Sequence, residues 1–515
     1  MINKRFLWLI IVAALVLCGG TLFAAEEKAA AAGPEKVMIY SGENLKVQLE
    51  GRIRFNLIQN EYNVYQESLG LWVNNQKWGT TAFFTVPSAV AGVNLYTKSF
   101  WLPYQKALRR GSLVTDVRET GLALNVQGPK ILGAESFAAI KVDFFGGYGV
   151  QYTISTTTVP ATGGNSVRNP VLRLRNAFAG LEWKGEVVSA KFTFGQFNSL
   201  IIPMLAYPVS LNYVPFYYKG VLFNYDQGIS VGIKIGSDKA NLMIDVSLVR
   251  AMAGNDGADL IYTGVNGSGI AAIDERGTGE ASMRPAWNGR VAFNLKPHQL
   301  FGLTLAATGS YFTQHTRIAY NNLRFIYGID ITNGIFVNAA DVASKSVGAQ
   351  AKLQIAFIVI QGAGWMGEAM QNYYAMFGTG VRESTTGLKN LPDKGRGGYA
   401  QIYIALQKIG IPIMPYVGMG QEIKNNRSRI PNSQPASLTE AGTHAPTTST
   451  YVVTTTGRIG VSTILWNSEV HGGLRIFLGQ NMNLGFEMGQ IVTKFKGVPG
   501  TSTSMVYRTA AEFVF

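Results

Sequence analysis

Leu45 to Leu57 reads L-K-V-Q-L-E-G-R-I-R-F-N-L, and its character changes at every step. Leu45, Val47, Leu49, Gly51, Ile53, Phe55 and Leu57 are apolar or small, and the residues between them, Lys46, Gln48, Glu50, Arg52, Arg54 and Asn56, are polar. Side chains alternate across a strand, so this stretch has one face for an apolar medium and one for water. Thirteen residues without a violation exceed the ~5–6 residues of an ordinary soluble strand, and match a tilted bilayer-crossing strand of ~9–11 residues with a wet rim. The last stretch repeats the pattern: Met505, Tyr507, Ala511, Phe513 and Phe515 alternate with Ser504, Arg508 and Glu512. An aromatic terminal strand of this kind suits a closing strand that pairs with the first and removes the sheet edge.

Between these ends the same period returns. The strands expected from it are 45–58, 119–127, 135–146, 171–183, 187–197, 226–236, 240–251, 287–296, 300–313, 345–355, 360–369, 398–407, 412–421, 470–478, 482–493 and 504–515. Sixteen segments result, with eighteen possible if Gly220–Tyr225 and Gly457–Leu465 are added. Short connections such as Ser237-Asp238-Lys239 alternate strictly with long ones such as 147–170. The fold class is therefore all-β, a transmembrane antiparallel barrel with short periplasmic turns and long external loops. Its place is the outer membrane of a Gram-negative-type bacterium, with outer-membrane lipid around it. Charged residues at 15% and 59 glycines fit such a wall, since half of every strand must suit lipid.

Met1 to Ala25 reads as a secretory signal: Lys4 and Arg5, an apolar run from Phe6 to Leu17, then Ala24 and Ala25 before Glu26 and Glu27. An uncleaved anchor is the other reading of this stretch. Residues 26–44 follow as a periplasmic spacer, and 45–515 form the barrel. Cys18 is the only cysteine, so removal of the signal leaves a chain without thiol or disulfide chemistry.

The polar row of each strand should face the lumen. The candidate pore-lining, anion-binding residues on it are Arg52, Arg54, Lys141, Arg173, Arg175, Lys191, Arg290, Lys352, Arg475 and Arg508, with Lys46 and Lys234 beside them. The acids of that row are Glu50, Asp143, Asp245, Glu487 and Glu512. The formal charge of the whole chain is +14. Basic side chains on a low-dielectric wall concentrate anions in a narrow pore, and arginine pairs with carboxylate or phosphate through two bonds at once. The competing reading of any single arginine is that it pairs with an inward acid and holds the barrel round. Two loops stand out. Asn198–Tyr225 has Pro203, Pro208, Pro215, many aromatics and Lys219 as its only charge, too apolar for open water, so it should fold into the lumen or against a neighbouring subunit. Glu61–Val117, also aromatic, is expected as a plug, a subunit latch or an ordered cap. Met252–Ala286 and Asn425–Thr456 read as mobile surface loops.

Enzymatic chemistry finds no constellation. His298, His315, His444 and His471 are scattered over a turn, two loops and one strand. No Cys/His metal spacing or G-x-S-x-G occurs, and a rim hydrolase built on His471 would need a serine or aspartate beside it. The chain is read as a non-enzyme without cofactor or metal. The sequence pI near 9.6 does not make nucleic acid a partner of an exported, alternating chain.

Several segments together resemble the DcaP-like outer-membrane porins, a family similar in style to phosphate-selective porins. They are Arg118-Glu-Thr-Gly-Leu-Ala-Leu-Asn-Val-Gln-Gly-Pro129, Val142-Asp-Phe-Phe-Gly-Gly147, Leu172-Arg-Leu-Arg-Asn-Ala-Phe178, Thr193-Phe-Gly-Gln196, Trp365-Met-Gly367 and the final Phe515. The resemblance implies a sixteen-stranded barrel, usually a homotrimer, that passes small anionic solutes such as dicarboxylates through a basic constriction. Arg173 and Arg175 match its R-L-R strand and Asp143 its D-F-F-G motif; Asn176 stands where the family often has histidine. The C-terminal strand would engage the barrel-assembly machinery. A general diffusion porin and a plugged adhesin barrel stay open as alternatives.

Overall fold

The computed structural model describes residues 37–62, 64–65, 72–73, 77–85, 95–103, 111–146, 171–251, 282–316, 319–320, 335–336, 340–370, 373, 381–383, 390–425, 453–455, 464–495 and 500–515. Sixteen antiparallel strands close into a barrel. In chain order they are β1 (Lys46–Asn60), β2 (Gly121–Ile131), β3 (Ala134–Gly146), β4 (Val171–Lys184), β5 (Val188–Asn198), β6 (Tyr225–Gly236), β7 (Ala240–Val249) and β8 (Ala286–His298), then β9 (Phe301–Thr316), β10 (Ala340–Ile355), β11 (Ile358–Glu368), β12 (Lys394–Ile404), β13 (Ile413–Lys424), β14 (Ile464–Leu478), β15 (Met482–Phe495) and β16 (Ser502–Val514). Each pairs with its neighbour in sequence, and β16 returns to β1 with Arg52 opposite Val514 and Asn60 opposite Val506.

Phe515 completes that seam. Its N–H donates to the Gly51 carbonyl at 3.0 Å and its carbonyl accepts from the Gly51 N–H at 2.8 Å. A methyl group on Gly51 would lie 2.5 Å from the Phe515 ring, so the glycine makes room for the terminal aromatic. Within 26–44, read as a spacer, Val37–Ser41 is a short strand that pairs with the lower half of β1. Ser112–Asp116 pairs with the upper half and continues the line of β2.

The alternation is spatial as well as sequential. Ile53, Phe55, Leu172, Leu174, Val417 and Met419 are exposed on the outside, while Arg54, Asn56, Asp143 and Asn176 are buried inside. That inverts a soluble protein and matches a wall between hydrocarbon and a polar interior. The turns are tight where expected, as at Gly479, whose φ of 72° lies in the left-handed region open to glycine. Several strands run past the expected ends: β10 begins at Ala340, β14 at Ile464, and β9 reaches Thr316, so that His315, read as a loop residue, is in a strand. β12 lies a few residues earlier than expected, because 405–407 turn into the short 3-10 segment Leu406–Ile409.

The segment between β5 and β6 enters the barrel, one of the two placements expected of it. Ile202, Val214, Phe216, Tyr217, Tyr218, Val221 and Phe223 form a buried cluster with Tyr399, Ile464 and Phe495 of the wall. A second cluster places Ile201 and Leu222 against Phe312, Trp365, Met370 and Tyr373. The apolar core of the molecule is thus inside the lumen, which explains an aromatic loop in an exported chain. Of Glu61–Val117, Val64 and Val73 pack on the lumenal Ile58, Ile491 and Val506, and Lys77–Thr85 pairs with Leu95–Pro103 and with Val453–Thr455. Apart from 61–62, 64–65, 72–73 and 111–117 the rest of that stretch, residues 1–36, and nearly all of Met252–Ala286 and Asn425–Thr456 lie outside the described residues.

Candidate pore constriction

The inward segment, residues 199–224, is stitched to most of the circumference. Gln350 donates to the Ile202 carbonyl at 3.1 Å, Gln361 to the Tyr207 carbonyl at 2.8 Å, and Trp365 to the Gly220 carbonyl at 3.1 Å. The Gln401 amide takes both sides of Val209, accepting from its N–H at 2.7 Å and donating to its carbonyl. Near its far end Phe216, Tyr218 and Gly220 all have positive φ, and a Cβ on Gly220 would lie 2.1 Å from the Gly398 carbonyl. Only glycine allows the backbone so close to the wall.

A buried charge network holds the same segment from below. Lys219 is fully buried and paired to Glu469. Arg508 reaches Glu469 at 3.3 Å and Glu487 at 2.5 Å, and Glu487 also accepts from Ser210 Oγ, the Leu211 N–H and Tyr416 Oη at 2.7–2.8 Å. Arg475 donates to the Ser210 carbonyl at 2.6 Å. Arg54 pairs with Glu119 at 3.0 Å and Glu512 at 3.4 Å and donates to the Leu211 carbonyl at 2.5 Å. Burial of these charges is tolerable because each faces an opposite charge or a carbonyl.

The network corrects part of the expected lining. Arg54 and Arg508 do face inwards, but they are only 4% and 3% exposed; the loop covers them, so they serve as clamps and do not line water. Glu119, outside the expected row, joins the inward acids by pairing with Arg54. His471 is in the same network: its Nδ1 is 3.4 Å from Glu469, its ring stacks on Phe216 at 4.6 Å, and it is buried. Side-chain atoms of Glu469, His471 and Glu487 lie within 4.8 Å of one another, but Lys219 and Arg508 already neutralise the carboxylates, so the cluster is a clamp and not a metal centre.

The basic residues that retain access to the lumen gather elsewhere. On β4, Arg173 and Arg175 point inwards from a stretch that ends in a bulge between Leu174 and Asn176. Arg173 grips Asp143 through Nε at 3.0 Å and Nη2 at 2.7 Å, and Nη2 also donates to Tyr213 Oη at 2.7 Å. Tyr213 in turn donates to Asp143 at 2.5 Å and stacks on Phe145 at 4.2 Å. Arg175 donates from Nε to Tyr225 Oη at 2.8 Å, and its guanidinium stands 5.5 Å and 5.9 Å from the Tyr213 and Tyr225 rings. Among the described residues, neither terminal nitrogen of Arg175 has a hydrogen-bond partner. The two arginine side chains are 32% and 28% exposed. Arg173 thus spends its fork on fixing the site, while Arg175 reaches Asp143 through Nε at 3.5 Å and keeps its terminal nitrogens between the aromatic walls.

Lys141 follows Asp143 down the inward row of β3, opposite Asn176. Lys191 lies over the Phe137 ring at 4.6 Å. Lys352 faces inwards between Thr304 and Gln361. Arg52 donates from Nε to the Glu119 carbonyl at 3.0 Å, and Arg290 is paired with Asp245 at 2.9 Å. So Arg173, Arg175 and Lys141 come together, whereas Lys191, Lys352, Arg52 and Arg290 are spread along the wall. Sequence pattern missed Tyr213, Tyr225 and Phe145. Phe145 was visible as the last aromatic of D-F-F-G, but nothing local indicated that a loop tyrosine would stack on it.

The fold and its lumen define a class: an outer-membrane barrel of the porin type. No protein-family model matches the chain, and no curated protein does. Among solved structures it is similar to the outer-membrane channel DcaP of Acinetobacter baumannii, with a TM-score of 0.54 and 11% identity over 93% of this chain and 99% of that one. An anion-selective porin from Comamonas acidovorans aligns at TM-score 0.43 and 9% identity over 92% and 100% of the two chains. OmpF of Salmonella typhi aligns at 0.41 and 11% over 93% and 100%. At such identities the likeness concerns the fold.

Proposed function

We propose that the chain is a passive, mildly anion-selective porin that admits small acidic solutes, dicarboxylates or similar, across the outer membrane after removal of its leader at 1–25. The observation that carries this reading is Arg175, whose terminal nitrogens are unengaged beside Lys141 and the fixed Arg173. A carboxylate arriving there meets a preoriented fork at little entropic cost and leaves again, because the site is open to water. Arg52, Lys191 and Lys352 extend the basic path, while Arg54, Arg475 and Arg508 keep the loop in place. Catalysis has no role in this reading, in which His471, the histidine that touches Glu469, is buried under Phe216 as part of the loop clamp.

The test is reversal potential across a KCl gradient in a planar bilayer, followed by added succinate. Chloride preference with reduction of the chloride current by succinate is expected. Cation preference or absence of conductance would overturn the proposal; conductance without ion preference would favour a general diffusion porin. A homotrimer is the assembly expected, and it is checked by heat-modifiable gel migration of membrane-extracted protein.

A further inference from the structure

A basic cluster lies on the outside of the barrel, facing away from the pore. One register row runs across five strands: Trp287 of β8 opposite Tyr311 of β9, Tyr311 opposite Lys345 of β10, Lys345 opposite Glu368 of β11, and Glu368 opposite Lys394 of β12. All lie on the outward face, since their strand neighbours Asn288, Ser310, Ser344, Ser346 and Asp393 are buried on the other side. Trp287 and Tyr311 are exposed as interfacial aromatics are. The row then turns charged. Glu368 is bracketed by Lys394 at 2.8 Å and Lys345 at 3.5 Å, whose side chains remain 61% and 57% exposed. Two residues along β12, Arg396 adds a third outward cation, opposite Met366 and Ile423, and among the described residues it has no ion-pair partner. Directly below the lysines Val347 and Met366 are bare apolar surface.

We infer that Lys345, Lys394 and Arg396 form a binding site for the phosphorylated headgroup of an outer-leaflet lipid. The position follows from topology: these strand ends carry the long connections, hence face outwards from the cell, and the aromatic row marks the boundary between hydrocarbon and water. The chemistry follows from charge: three cations against one carboxylate leave an excess of positive charge just where phosphates of a glycolipid would lie. Val347 and Met366 meet its acyl chains, which a free ion could not use. Arginine offers its planar fork to a phosphate and the lysines add flexible point charges. Glu368 spaces the lysines and keeps them apart.

The test uses full-length protein in detergent, mixed with phosphatidylcholine vesicles containing bisphosphorylated lipid A, or the same lipid with both phosphates removed. Retained lipid is read by native mass spectrometry. Wild-type protein should retain the phosphorylated lipid preferentially. K345Q/K394Q/R396Q should retain about a hundredfold less, roughly fivefold for each of the three cations removed, with unchanged conductance and heat-modifiable migration. Lys184→Gln with Lys239→Gln, at the opposite end of the barrel, should not alter retention. Equal retention of both lipids, or undiminished retention by the triple variant, would overturn the inference. So would displacement of the lipid by millimolar inorganic phosphate, which would indicate a free-ion site, or loss of oligomer in the variant, which would make the patch a contact between copies.

Discussion

Replacing Arg175 by glutamine removes one lumenal charge while Arg173 keeps its two bonds to Asp143. A unit charge ~5 Å from a passing anion contributes ~0.8 kcal/mol at the dielectric of water and ~3 kcal/mol at the lower effective value of a protein surface. With a Debye length of ~10 Å at 0.1 M salt, roughly 0.5 kcal/mol survives at the lower bound, equal to a two- to threefold loss in anion preference. At 1 M salt the Debye length is ~3 Å and the effect should shrink to about 1.3-fold. The assay is reversal potential in potassium chloride gradients centred on these concentrations. An unchanged permeability ratio at low salt, or an equal change at both salts, would refute the assignment of Arg175 to the ion path. Arg54→Gln is the internal control: its charge is covered by the loop, so it should leave selectivity near wild type and affect stability instead.

Further outcomes follow from the same geometry. Lys219→Met leaves Glu469 short of a buried partner; a destabilisation of about 3 kcal/mol is expected, read as an earlier urea midpoint together with larger, noisier single-channel conductance as the loop loosens. Gly220→Val cannot fit against the Gly398 carbonyl, and should release the loop from the wall at β12 without opening the barrel, giving raised conductance with normal heat-modifiable migration. Deletion of Phe515 removes two hydrogen bonds to Gly51 and should cost about 2 kcal/mol of seam stability, seen as a lower temperature of gel-shift unfolding; migration identical to wild type would show that the seam does not need it. Arg173→Glu with Arg175→Glu should reverse or sharply reduce anion preference, checked in the same gradients as Arg175→Gln.

Alternation alone located all sixteen strands, because lipid on one side and a polar interior on the other impose a two-residue period wherever the chain crosses the bilayer. The errors lie at strand ends and in the two short strands beside β1, Val37–Ser41 and Ser112–Asp116. Ala340–Ser344 and Ile464–Glu469 were missed because a strand that continues above the membrane no longer has to present an apolar face, so its period vanishes while its hydrogen bonds persist. The long apolar run of Asn198–Tyr225 likewise indicated a buried loop, since water would not hold it. Arg173, Arg175 and Lys141 were legible as inward cations from parity alone.

What the chain by itself determined was therefore what its solvent governs: a barrel, the sixteen segments that cross the bilayer, and which face of each strand is polar. What only the tertiary structure decided was which cations remain available. Arg54 and Arg508 share the parity of Arg173 and Arg175, yet a loop arriving from far along the sequence covers the first pair and carries Tyr213 to the second. Period-two patterning reports on which medium a residue faces, whereas access to the pore depends on contacts between segments 157 to 250 residues apart, such as Leu211 with Arg54 and Lys219 with Glu469.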